Sequence, residues 1–179
     1  MNILLGFIVM LIYVSFSGNI YTNKIESFLV TDDTGAYVTQ YNGLHKDDEI
    51  IKINGEYLSV RYDYVFAAIR SADKTCDITI LRDGKRTVIN DFMFPTFTEN
   101  GEEYGNPSFF VPYTKNKNVI SVLHESFFQT VSMVKTVVYS LYDIVTGNFS
   151  PESVSGPVGV VSEIHETVKI GLLPLMFLF

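Results

Sequence analysis

The chain has 179 residues, 47% of them hydrophobic, and a formal net charge of -7 at pH 7, with a mean hydropathy of +0.20. That length allows one domain with extra segments, and the hydropathy directs attention to membrane segments. No Lys/Arg-rich run is present, which excludes a nucleic-acid partner, because phosphate neutralisation needs clustered cations.

Residues 2–17 read NILLGFIVMLIYVSFS and carry no charge. A run this apolar predicts a transmembrane helix over residues 1–20, its start clipped at Met1. A signal peptide is the weaker alternative: no Lys or Arg precedes the run, and no small-x-small cleavage site follows it. A buried core helix is weaker still. Residues 24–95 then alternate short apolar runs with turn residues and predict a small β-rich domain. Asn54-Gly55 is a tight-turn signal. Residues 62–71 place Val65, Phe66 and Ile69 at helical spacing. Residues 77–81 alternate with period two, turn at Arg82-Asp83-Gly84-Lys85 and return over residues 86–90 as a β-hairpin. The single cysteine, Cys76, lies in this strand pattern and can form neither an intrachain disulfide nor a multi-cysteine zinc site. It predicts a small buried side chain.

Residues 96–117 read as a loop or linker rich in Gly, Asn and Pro, with room for one short strand at residues 108–111. Residues 118–147 predict an amphipathic helix. Ile120, Leu123, Phe127, Val131, Val134, Val138, Leu141 and Val145 recur at steps of three and four. Its repeated polar face argues against a simple span and for a helix lying on a membrane surface or on the domain. Residues 150–179 hold a Gly156-Pro157 break and end in GLLPLMFLF, the expected start of a truncated transmembrane helix.

Two His-Glu pairs, His124-Glu125 and His165-Glu166, invite a metalloprotease reading. A zinc-binding helix needs a second His one turn later. Phe128 and Lys169 stand there instead, so neither pair is expected to bind zinc. Asp32-Asp33 and Asp47-Asp48-Glu49 lack the oxygen spacing of an EF-hand and read as solvated turns. No Ser/His/Asp constellation or phosphate loop is legible.

Residues 43–56, GLHKDDEIIKINGE, resemble the bacterial PDZ signature GL-x-x-GD-x-I-x-x-ING, with Asp47 where that pattern has Gly. Ile144-Val145-Thr146-Gly147, followed by Val154 and then Ser155-Gly156-Pro157-Val158-Gly159, is similar to the "ITG" and "LSGPVGI" motifs of bacterial site-2 proteases (peptidase family M50). The order of span, PDZ module, helix, SGPVG and new span covers nearly the whole chain. The resemblance implies an α+β membrane protein with a PDZ-like β-rich domain between a transmembrane helix and amphipathic or transmembrane helices. It implies a membrane-embedded zinc metalloendopeptidase that cleaves membrane-protein substrates, with the PDZ module gating them. The full-length protein would be a multi-pass protein of the cell membrane with the PDZ region outside the cytoplasm. Its partners would be the lipid bilayer and membrane-protein or peptide substrates. Zinc would belong to the full-length protein: the family's His-Glu-x-x-His and Leu-Asp-Gly motifs do not occur in these 179 residues, so this chain alone is expected to bind none and to be inactive. Val65 and Ile69 are the candidate peptide-groove residues, and Ser155 to Gly159 a structural motif. The alternative is a membrane-anchored PDZ protein that binds peptides without catalysis.

Overall fold

The computed structural model describes residues 2–31, 34–71, 74–99 and 102–146. The chain divides into two compact units: Asn19–Asn116, and Met1–Gly18 with Lys117–Phe179.

The first of these is β-rich. Its strands are β1 (Ile20–Phe28), β2 (Gln40–Tyr41), β3 (Leu44–His45), β4 (Glu49–Ile53), β5 (Glu56–Tyr57), β6 (Cys76–Arg82), β7 (Lys85–Phe92), β8 (Thr96–Glu99), β9 (Glu102–Gly105) and β10 (Phe110–Lys115), with helix α2 (Arg61–Ile69) between β5 and β6. A six-stranded sheet runs β10-β1-β4-β6-β7, with β5 paired to β4, and all its pairings are antiparallel. β2 pairs with β3, and β8 with β9.

Local chemistry sets the turns. Asn54 and Gly55 take φ of 50° and 82° between β4 and β5, and Asp83 and Gly84 take 49° and 75° between β6 and β7. Two successive positive φ values give a turn whose twist matches the flanking strands. The core beneath is aliphatic on the sheet (Ile25, Ile50, Ile78 and Ile80) and aromatic towards α2 and the later strands (Phe92, Phe94, Phe109 and Phe110), all essentially buried. The rings meet mostly edge to face, as at Phe92–Phe94 (5.1 Å, 80°) and Phe109–Phe110 (5.1 Å, 81°), the arrangement that ring quadrupoles favour.

The second unit contains α1 (Asn2–Phe16) and α3 (Val119–Thr146). Asn118 caps α3 reciprocally: its Oδ1 accepts the Ser121 amide at 2.8 Å, and its own amide donates to Ser121 Oγ at 2.8 Å. Lys117 Nζ donates to the carbonyls of Ser15 and Ser17, a cation at the negative end of α1. The helices pack through Met10 and Val14, both buried, through a Phe7–Phe127 edge contact at 6.4 Å, and through Ser126, whose Oγ reaches the Met10 carbonyl at 3.5 Å.

The expected fold class is corrected here. Among the described residues no helix is long and apolar enough to cross a membrane. Helix α1 has 15 residues, about 22 Å at the usual rise per residue, against a bilayer core of about 30 Å. The 28-residue α3 has the length, but Ser, Thr, His, Glu, Gln and Lys interrupt its apolar character. What is described is an α+β chain made mostly of strands, not a PDZ-like module held between spans. The expected span at 171–179 lies outside the described residues.

On α3 the apolar stripe, expected to lie on a membrane surface or on the domain, points outward. Ile120 and Val145, at the ends of the apolar stripe, are 80% and 85% exposed, and Leu123, Phe127, Val131, Val134, Val138 and Leu141 are exposed too. The buried positions are Ser121, Ser126, Thr130 and Ser132. The segment expected as loop, 96–117, carries β8, β9 and β10.

Candidate functional site

Helix α2 is the element on which the groove residues fall. Asp63, in its first turn, accepts the amides of Ser59 (2.7 Å) and Val60 (3.2 Å), satisfying two donors that helix geometry leaves open. Tyr64 and Ala68, one turn apart, are fully buried. Val65 and Ile69 follow each by one residue and are half-buried, with Val65 packed against the core. They form the shoulder of the helix; the side that faces the core belongs to Tyr64 and Ala68.

Tyr64 and Arg61 fasten α2 to the chain before β10. The Tyr64 hydroxyl and Arg61 Nη2 both donate to the Pro107 carbonyl at 3.2 Å. The Arg61 guanidinium lies over the rings of Tyr64 (4.1 Å) and Phe110 (4.5 Å). Its Nη1 is buried without a hydrogen-bond acceptor, so the two ring faces supply its electrostatic partner. Burial lowers the Arg61 pKa, partly offset by Tyr64, and raises that of Tyr64.

A second constellation fixes the turn before β4. Asp48 is 1% exposed. Its carboxylate accepts Arg82 Nε at 2.7 Å and Nη2 at 2.6 Å, and the His45 amide at 2.7 Å. Arg82 Nη2 also donates to the Gly43 carbonyl at 2.7 Å. This two-pronged bond raises the Arg82 pKa, the hydrogen bond to Asp48 being the largest cause. Asp47, standing where the PDZ signature has Gly, adopts φ of 71°, a left-handed conformation that Asp tolerates better than most residues. Beside it, a hydrogen bond to Asp47 and then burial raise the Tyr113 pKa.

Neither constellation suits zinc. Among the described residues no three of His, Cys, Asp and Glu are grouped to hold a metal. His45 is hydrogen-bonded to Gln40 at 3.0 Å, and the His124 ring lies 4.5 Å from that of Phe128. Cys76 is buried, with its thiol 3.5 Å from the Phe92 carbonyl. His165 and the segment from Ser155 to Gly159 fall outside the described residues.

The sequence matches the family model of Peptidase family M50 over residues 1–179. The chain belongs to this family. It is 30% identical over 133 residues to the Regulator of sigma-W protease RasP of Bacillus subtilis, covering 74% of this chain and 31% of that protein. A Putative zinc metalloprotease, SA1105 of Staphylococcus aureus, is 29% identical over 172 residues, covering 91% of this chain and 40% of that protein. The Putative zinc metalloprotease of Borreliella burgdorferi is 28% identical over 137 residues, 73% of this chain and 30% of its own length. The chain thus spans roughly a third of the curated relatives it matches.

Sequence reasoning placed α2 but missed its inward residues, because a tyrosine four positions before an alanine resembles no apolar stripe. It also missed the Asp48–Arg82 pair, whose partners are far apart in sequence and meet only when β4 and β6 align.

Proposed function

We propose that this M50 chain is part of a zinc metalloendopeptidase that cleaves membrane-protein substrates in regulated intramembrane proteolysis, and that its β-rich unit gates those substrates. The observation that carries this reading is the family match across all 179 residues. Zinc, where bound, supplies the Lewis acid and an activated water. The described residues do not suit it, so no step of the hydrolysis is assigned to them. Their role is to admit and orient a polypeptide, with Val65 and Ile69 as apolar contacts on α2. The unit Asn19–Asn116, which includes β10 in its sheet, would serve as the gating domain, and Ser155, Gly156, Pro157, Val158 and Gly159 as a structural break.

The outward aliphatic side chains of α1 and α3, with the hydroxyls of Ser121, Ser126, Thr130 and Ser132 buried on α3, support lipid contact by elements that lie along the bilayer. The β-rich unit would then stand outside the cytoplasm. Single cysteines at Lys46 and Lys115, in a Cys76→Ser background, should both react with a membrane-impermeant reagent in intact cells. Reaction only after lysis would reverse this orientation.

The gate is tested in the full-length protein. Val65→Asp with Ile69→Asp should change cleavage of an intact substrate relative to one already trimmed. An unchanged ratio would remove these residues from the gate. For the 179-residue chain alone, zinc titration should show no stoichiometric tight site; tight binding would restore a local metal centre.

A further inference from the structure

The sheet of the β-rich unit ends on β10 at one side and on β7 at the other. β7 contains no proline, so no backbone donor is missing along it. Lys85, Arg86, Thr87, Val88 and Asn90 are exposed, and Val88, a β-branched aliphatic residue, is 56% exposed. A terminal strand of this kind is a template for a further strand.

The hairpin turn fixes which backbone groups of β7 are free. Arg82 and Lys85 face each other across the two-residue turn at Asp83 and Gly84, and the residues that close such a turn exchange both of their backbone hydrogen bonds. Bonded and non-bonded pairs then alternate. Lys85, Thr87 and Ile89 therefore bond to β6, opposite Arg82, Ile80 and Ile78. Arg86, Val88 and Asn90 turn their N–H and C=O groups away from it. The run stops at a bulge: Cys76 and Ile78 face Phe92 and Ile89, so three steps on β7 oppose two on β6, and Asp91 there takes φ of 53°.

A row of three outward residues spaced by two is self-complementary about its middle. Turned about a twofold axis at Val88, a second copy sets Val88 against Val88, Arg86 against Asn90 and Asn90 against Arg86. Each pair exchanges both of its backbone bonds and keeps its side chains on one face of the joined sheet. The charges agree with this register. Lys85 of each copy comes towards Asp91 of the other, while the two Arg86 residues stand about 14 Å apart, beyond the screening length of about 8 Å at physiological salt. A twofold contact closes on itself and leaves no β7 edge from which to grow. This match of backbone row and charge selects a second copy of the chain over an unrelated partner.

We propose that β7 is a dimerisation edge, through which two copies of the chain join their sheets antiparallel about Val88. The inference goes beyond the gate reading and does not depend on it.

The test uses the 179-residue chain in detergent over a wide range of concentration. Hydrogen exchange should slow with concentration at the Arg86, Val88 and Asn90 amides and stay constant at Thr87 and Ile89, which are bonded already. Val88→Cys in a Cys76→Ser background should form a disulfide-linked dimer under mild oxidation, since Cα atoms of a bonded pair lie about 5.5 Å apart. Thr87→Cys should not, because in this register its two copies stand about 8 Å apart. Val88→Pro removes the central donor, which β6 does not use, and Val88→Lys sets two ammonium groups against each other. Each should weaken association, measured by sedimentation, about tenfold or more, with the Ile78 and Ile80 amides keeping their native exchange rates. A dimer that survives both substitutions unchanged, or equal cross-linking at positions 87 and 88, would place the association elsewhere and overturn the pairing at β7. So would exchange at the three outward amides that ignores concentration, including protection that appears only when an unrelated extended peptide is added.

Discussion

Replacing Asp48 with alanine strands the Arg82 guanidinium and removes the acceptor for the His45 amide. Breaking a fully buried pair costs about 3–5 kcal/mol. The Arg82 side chain is 32% exposed and can recover some hydration, so the loss should lie near 2–3 kcal/mol, seen as a lower urea midpoint with an unchanged slope. Arg82→Lys should cost part of this, because an ammonium cannot reproduce the two-pronged bond. Cys76 gives a pH signature. Burial first, then the charge of Asp77, push its thiol up to about 11 from 9.0, with a hydrogen bond to Ser71 opposing. The unfolded chain gives up this proton near pH 9 and the folded chain near pH 11. This stabilisation is therefore complete below pH 9 and is lost as pH climbs towards 11. The urea midpoint should fall across that window less steeply in Cys76→Ala than in the native chain. Thiol alkylation at pH 8 should be slow until the chain is unfolded.

The hairpin of β6 and β7 was legible because its signals are local: period-two alternation and an Asp83-Gly84 turn. β10 was legible only in part: the short strand expected at residues 108–111 runs instead over Phe110–Lys115, because its partner β1 lies far away in sequence, with Ile20 opposite Lys115, and its Pro-Tyr half looks like a loop. For the site, α2 was legible from helical spacing. Its attachment through Tyr64 and Arg61 to Pro107 was not, since no local pattern announces a tyrosine hydroxyl meeting a distant carbonyl. Helix α3 shows the limit of periodicity. Its stripe was correctly spaced, yet spacing does not say which face meets the neighbouring helix. Ser126, Thr130, Ser132 and Thr136 each bond a carbonyl four residues back, so their hydroxyls are satisfied within the helix and can be buried. Ser126→Leu should overfill the α1–α3 contact and cost about 1–3 kcal/mol. Val138→Lys, on the exposed side, should leave thermal unfolding in detergent within about 0.5 kcal/mol of native. It should reduce flotation with lipid vesicles, and unchanged flotation would argue against lipid contact through this face.

As a member of Peptidase family M50 that spans roughly a third of its relatives' length, the chain contributes surfaces and, among the described residues, no metal cluster. One feature of its layout reaches further. The β-rich unit begins at Asn19 and ends at Asn116, and just inside those limits Ile20 lies directly across from Lys115. Cα atoms paired this way are about 5 Å apart, so the unit enters and leaves through a single closed doorway. Such a module is portable. Replacing residues 20–115 by a short Gly-Ser bridge should keep the α1–α3 contact, and the excised unit should fold with its two ends adjacent. The same doorway dictates how the unit yields to force. Tension applied at residues 19 and 116 loads the β1–β10 ladder one bond at a time, like a zip, starting at Ile20 and Lys115. In a single-molecule pulling experiment β10 should therefore peel away early and at low force, before the β4-β6-β7 sheet gives way.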